Sequence, residues 1–377
     1  MAMMLTDDQA MLRDTAREFL ADEGTIKKQV RHWRDKGCKD GFGHELWRRF
    51  GELGLNGICI PESAGGMGMG AVEAGVVLEE IGRNLTPSPF LTTAVAAARA
   101  IEGTAHGERW FPGILAGQTV AALAIDEGKN HAPEATAMVA KRQGNGFTLS
   151  GAKQFVVHGA SADVILVAAR TAGSPGETKG ITLFAVERGA SGLEVENVGL
   201  ADSSKAARLS FDNVALDADA VVGEVDGGWA PLSRALSAGR AGAAAELVGV
   251  AAGASDMTVD YLKQRKQFGK LIGEFQALQH RAAHLYGEIE IARAAALKAA
   301  QLLDAGDPRA ELMTSVAKAK AARTAALAVQ EGVQMHGGIG MTDEHDIGLY
   351  MKREAVLSAL LGNPRYHANR VAMLSGY

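Results

Sequence analysis

The chain has 377 residues, a formal charge of −5, 47% hydrophobic and 22% charged residues. Those are globular proportions at a length that suits two or three domains, which excludes a disordered chain, a collagen or a disulfide scaffold. The mild acidity gives no ground for a nucleic-acid partner, and no apolar run approaches the roughly 18 residues that a membrane span needs.

In chain order, residues 1–118 read as a helical domain. LTDDQAMLRDTAREFL offers Thr6 as N-cap, with Met11, Leu12, Phe19 and Leu20 at helical spacing. GHELWRRFGELG closes on Gly54 as on a C-cap, and AVEAGVVLEEIGRN stops before Pro87 and Pro89. Residues 119–226 change to a period of two. AALAI, TAMVA, VILVAA, ITLFAVE, LEVENV and ARLSFDNV are short β-prone runs parted by turn clusters, which predicts a small antiparallel barrel or sandwich. Residues 227–377 are Ala-rich and helical. Leu247, Val250, Ala254, Met257 and Tyr261 form a bundle seam, and a further long helix breaks at Gly337-Gly338. The predicted fold class is α+β, with helices, then strands, then a four-helix bundle. Cys38 and Cys59 have neither CxxC spacing nor other cysteines to pair with, so a reducing compartment is expected. MAMMLTDDQAMLRD is charged too early for a signal peptide, so the expected location is cytoplasmic.

Several motifs have a plain structural reading beside a chemical one. GGMGMG (65–70) lies in helical surroundings and reads as a loop, not as a dinucleotide fingerprint. His280 and His284 lack the Glu of a zinc helix, since Arg281 stands there, so no metal is expected. In RKQFG, Arg265 and Phe268 stand three apart, which places them on one helix face, with Gly269 just past them. Such an Arg can fork onto a diphosphate while the Phe covers a flat ring; a snorkelling Arg beside a core Phe is the plainer alternative. Gln276 follows within reach of a nucleotide's hydroxyls. QMHGGIG ends a helix on two glycines, which suits either a close backbone approach to a ligand or a simple C-cap.

Together these segments resemble the acyl-CoA dehydrogenase family over nearly the whole chain. The segments that carry the resemblance are LTDDQAMLRDTAREFL, GLNGICIPESAGGMGMGAVEAGVVLEEIGR, RKQFGKLIGEFQALQH and QMHGGIGMTDEHDIGLYMKR. The resemblance implies FAD, an acyl-CoA thioester substrate oxidised to the enoyl-CoA, electron-transfer flavoprotein as acceptor, and a tetramer. It implies a Glu base in one of two places, because an α-C–H next to a thioester needs a desolvated carboxylate to leave. Those places fall on Gly362, in YMKREAVLSALLGNP, and on Gly239, directly before Arg240, the residue matched to the substrate CoA. Both are glycine. Tyr366 and His367 follow Gly362 closely and are expected to face the last helix.

The flavin-side segments depart as well. ALAIDEGKNHAP keeps Glu127 but has Asp126 where the family has Thr, and Phe155-Val156-Val157 stands where the family's hydroxyl-bearing segment lies against the flavin. In the family each FAD is shared across a dimer interface. This chain keeps what is given to a neighbour's ADP half: Arg265, Phe268, Gln276, Gln334, Gly337 and Gly338. It has lost what serves its own site. The combination suggests the base-less subunit of an α2β2 heteromer beside a Glu-bearing homologue. Two other readings stay open. A homotetramer with a relocated base would use Glu246, about 10 Å along the helix from Gly239, or His158. A non-catalytic protein would hold CoA ligands or scaffold partners.

Overall fold

The structure is a computed structural model that describes residues 3–377. In chain order its helices are α1 (Asp7–Asp22), α2 (His32–Asp35), α3 (His44–Glu52), α4 (Ala71–Asn84), α5 (Ala98–Ile101) and α6 (Ala105–Leu115). Strands β1 (Ala121–Ala124), β2 (Val139–Gln143), β3 (Gly146–Val157), β4 (Val164–Arg170), β5 (Ile181–Glu187), β6 (Leu193–Gly199), β7 (Lys205–Leu216) and β8 (Val221–Val222) follow. Then come α7 (Trp229–Gln264), a hairpin of β9 (Lys266–Gln267) and β10 (Lys270–Leu271), α8 (Gln276–Asp304), α9 (Ala310–His336), α10 (Ile347–Ala359) and α11 (Pro364–Leu374). Contacts divide the chain into two compact units, neither of them one stretch: Met1–His32, Ala71–Pro87 and Arg240–Tyr377 in the first, Trp33–Gly70 and Ser88–Gly239 in the second. The N-terminal helical stretch therefore contributes to both.

In the first unit, α1 begins as expected at Thr6. The Thr6 hydroxyl accepts from the Gln9 backbone N–H (3.3 Å), and the Gln9 side chain accepts from the Thr6 N–H (3.0 Å), a reciprocal cap. The small residues of α4 and α7 let two backbones meet. A Cβ on Gly82 would lie 2.1 Å from the Glu246 carbonyl oxygen, and one on Gly249 would lie 1.9 Å from that of Glu79. Only glycine fits at either contact. Helix α9 packs against α8, α10 and α11, with Ala317, Ala321, Ala325 and Ala328 on its buried side.

In the second unit, α3 buries Leu46, Trp47 and Phe50, and the chain turns at Gly54 with φ +76°, the left-handed residue of a helix C-cap. The strands form one sheet in the order β6-β7-β3-β2-β4-β5-β8. Pairing is largely antiparallel, as the alternating runs predict; β1 and β2 depart from this by running parallel to β4, with Ala121 opposite Val164 and Val139 opposite Arg170. All seven residues of β4 are buried, which is why VILVAAR reads as a continuous apolar run and not as an alternation. Among the described residues, no helix is long and apolar enough to cross a membrane. The glycine run 65–70 is turn and loop, with Gly66 so close to the Ile60 carbonyl that a Cβ would sit 2.2 Å from it.

Candidate functional site

At one end of the helical bundle, α7 stops at Gln264 and the chain turns back as a tight hairpin. Gln267 pairs with Lys270 and Lys266 with Leu271, leaving Phe268 (φ +52°) and Gly269 (φ +80°) as a two-residue loop. Both positive φ values are what a right-twisted two-residue hairpin demands. This corrects the expectation that Arg265 and Phe268 share a helix face: the helix has ended, and the turn conformation of Gly269 sets the direction of the segment. Phe268 is 92% exposed, and its ring has only an edge contact with Phe275 at 6.2 Å. The returning chain lies on the last turn of α7, where a Cβ on Gly273 would come 2.8 Å from the Leu262 carbonyl. It leads into Gln276, the first and exposed residue of α8.

The end of α9 lies beside this hairpin. The Tyr261 ring, one turn before Arg265, packs 4.5 Å from that of His336, the last residue of α9, and Arg281 of α8 is ion-paired to Glu331 of α9. Gly337 then takes φ +66°, ψ −140°, a conformation essentially closed to residues with a side chain. A Cβ on Gly337 or Gly338 would meet nothing within 4 Å, so the backbone here is open to an approaching group. Arg265, Phe268, Gln276, Gln334, Gly337 and Gly338 are all exposed. The side chains of Arg265, Gln276 and Gln334 find no hydrogen-bond partner among the described residues.

Gly362, one of the two positions matched to the family's base, meets a buried polar cluster at the other end of α10. Lys318 of α9 is 0% exposed, and its ammonium donates to the carbonyls of Leu357 (3.1 Å), Ser358 (3.2 Å) and Gly362 (3.3 Å). It thereby satisfies the orphan carbonyls of the helix end. Burial, with Arg240 adding to it, pushes Lys318 down to about 7 against the pull of Glu354 and Glu246. Gly362 has φ +109°, and a Cβ there would lie 2.5 Å from Tyr366 Cδ1 and 2.8 Å from His367 Nε2. Tyr366 does not face only its own helix, contrary to expectation. Its hydroxyl accepts from Arg240 Nη2 at 2.9 Å, and the guanidinium lies over its ring at 5.3 Å. Arg240, matched to the substrate CoA, is buried and also donates to the Leu361 carbonyl (3.3 Å). Glu246 is 1% exposed and accepts from Arg353 Nε at 3.0 Å, a helix–helix ion pair.

The flavin-side segment lies in the sheet unit, and its polar groups are spoken for. The Asp126 carboxylate is bonded to His131 Nδ1 (2.9 Å) and to the Ala132 N–H (3.1 Å). Glu127 accepts from the Ala137 and Met138 N–H groups and from Lys153 (2.8 Å), which also donates to the Ile125 carbonyl. Burial pulls the Lys153 ammonium below its ordinary value, with Glu127 opposing the shift. Phe155 sits at a break in the β3–β7 register with φ +53°, and Val157 is buried without a polar atom to offer. His158 Nδ1 is 2.9 Å from the Thr92 hydroxyl, with Phe42 edge-on at 5.4 Å.

The two halves of an FAD fare differently against these surroundings. The ADP half fits the bundle end, where an unpaired guanidinium, two unpaired amides, an uncovered ring and open glycine backbone are presented. The flavin half does not fit the segment after β1 and the end of β3. The carboxylate of Asp126 is already bonded, and Val157 would leave a polar ring atom without a partner.

Comparison with known proteins accounts for the whole chain. The N-terminal, middle and C-terminal domain models of acyl-CoA dehydrogenase match residues 6–118, 125–214 and 226–375. The chain belongs to the acyl-CoA dehydrogenase family. Members of this family bind FAD and dehydrogenate acyl-CoA thioesters. Cyclohex-1-ene-1-carbonyl-CoA dehydrogenase of Geobacter metallireducens is 32% identical over 370 residues, covering 94% of each chain. Among solved structures, a glycine-to-alanine variant of the Tcur3481-Tcur3483 steroid ACAD superposes with TM-score 0.87 at 32% identity over 98% of both chains. Butyryl-CoA dehydrogenase of Megasphaera elsdenii gives 0.90 at 26% identity over the full length of both.

Sequence reasoning missed Lys318 and Lys153, both reading as ordinary charged residues. The signal for Lys318 was its place on one face of α9 with Thr314, Ala321, Ala322 and Ala325, all buried. That face has no room for a solvated charge.

Proposed function

We propose that this chain is a subunit of a heteromeric acyl-CoA dehydrogenase that has no base of its own and lends its bundle end to the FAD of a Glu-bearing homologue. The single observation that carries this is the contrast between the two sets of family positions. All six residues of the lent set are exposed, while the chain's own set is bonded internally or apolar.

FAD, when bound, accepts the hydride that leaves the β-carbon of the thioester. This chain's share is to hold the cofactor. When FAD is bound, Arg265 would offer a fork to the diphosphate, Phe268 a flat face for a ring, Gln276 and Gln334 amides for hydroxyl or phosphate oxygens, and Gly337-Gly338 peptide N–H groups with no Cβ in the way. The α-proton is taken by the homologue's Glu. A bulky thioester of steroid type is the substrate class favoured by the likeness to a steroid ACAD.

Co-expression tests this. Alone, the chain should purify colourless and reduce no dye with acyl-CoA; with a Glu-bearing homologue it should form a stable, yellow, active complex. A yellow chain that turns over alone defeats the proposal and points to a homotetramer with a relocated base, in which Glu246→Gln should then abolish turnover. No flavin, no partner and no turnover points to a non-catalytic CoA-binding protein.

A further inference from the structure

We infer that Tyr366 closes this chain's own acyl half-site, its ring filling the space that a base at position 362 would occupy and its hydroxyl engaging Arg240. The inference rests on the heteromeric reading and adds to it that the missing base has left a plugged position and not an empty one.

Three contacts converge on the plug. The ring lies against Gly362 so closely that even a methyl group there would sit 2.5 Å from Cδ1, well inside van der Waals contact. Arg240 is held from two sides, by the Tyr366 hydroxyl at 2.9 Å and the Leu361 carbonyl at 3.3 Å, with the ring beneath the guanidinium at 5.3 Å. A cation so engaged and buried has to give up its internal bonds before it can meet a ligand's phosphate or carbonyl. The plug is also anchored. Asn363 caps α11 by accepting from the Tyr366 N–H at 2.9 Å, and Lys318 pins the Gly362 carbonyl from the opposite side. The turn that carries position 362 is thus fixed at both ends, and His367, fully buried at 3.2 Å from the Leu361 carbonyl, backs the ring's neighbour.

The closure predicts stoichiometry. Calorimetric titration of the flavin-loaded complex with octyl-CoA, a thioether that cannot be oxidised at the β-carbon, should give one ligand per pair of unlike chains. Tyr366→Ala in this chain should add a second, weaker site, and the isolated full chain should gain at least tenfold in affinity for octyl-CoA from the same substitution. Tyr366→Phe keeps the ring and should stay closed. Two ligands per pair with the natural residue, a folded Tyr366→Ala chain with no gain, or a Tyr366→Phe chain that opens like Tyr366→Ala would each overturn the inference. Should Tyr366→Ala fail to fold, the natural complex decides by its count alone. Failure of the heteromeric reading looks different: no complex forms, or the chain turns over unaided, and the titration of the isolated chain still decides the plug.

Discussion

The hairpin end of the bundle and the Asp126 segment beside the sheet differ in how their polar groups are satisfied. At the hairpin, a phenyl ring stands in solvent on a left-handed backbone, and an Arg and two amides on the neighbouring helix ends have no partner among the described residues. After β1 and at the end of β3, Asp126, Glu127, Lys153 and His158 are bonded to their own surroundings. Under the heteromeric proposal, residues kept for another molecule stay unsatisfied in the isolated chain and cost it stability. Residues released from that duty are free to be absorbed into local packing.

The sharpest tests of this contrast act on the absorbed charges. Unfolded Lys318 keeps its proton to about 10.5, whereas in the fold it loses it at about 7. Between those values the unfolded chain binds the extra proton, so stability should rise with pH there, by on the order of a few kcal/mol. Subtracting the pH profile of Lys318→Met, measured by denaturant unfolding, should isolate that rise; identical profiles would contradict it. In the sheet unit, Lys153→Met strips Glu127 of its counter-charge and should cost about 3 kcal/mol, most of it recovered when Glu127→Gln is added.

The lent residues should behave in the reverse sense. Phe268→Asn suits the positive φ better than phenylalanine and should stabilise the isolated chain by about 0.5–1 kcal/mol while lowering the flavin retained by the complex. A stability loss instead would mean that the ring packs within the chain. Arg265→Ala should move the unfolding midpoint of the isolated chain by less than about 0.5 kcal/mol equivalent and still weaken flavin retention about tenfold.

Much of the fold could be read from periodicity. The order of helices, strands and helices, the Thr6 cap, the Gly54 turn and the Ala-lined bundle all follow from local pattern. What could not be read depended on long-range packing. The three-residue spacing of Arg265 and Phe268 suits a helix face and a two-residue hairpin equally, and only the backbone angles of Phe268 and Gly269 separate the two. The glycine at position 362 is legible in the sequence; that Tyr366 lies against it is not, because that contact depends on where α11 starts and on a guanidinium more than a hundred positions earlier. Lys318 was hidden by the same cause, since its three carbonyl partners come from the end of α10 and the turn that follows it.

The bare ring of Phe268 has a consequence for the cell. Under the heteromeric proposal, a copy made in excess of its companion leaves that ring uncovered, so balanced synthesis of the two polypeptides governs how much of it is shielded.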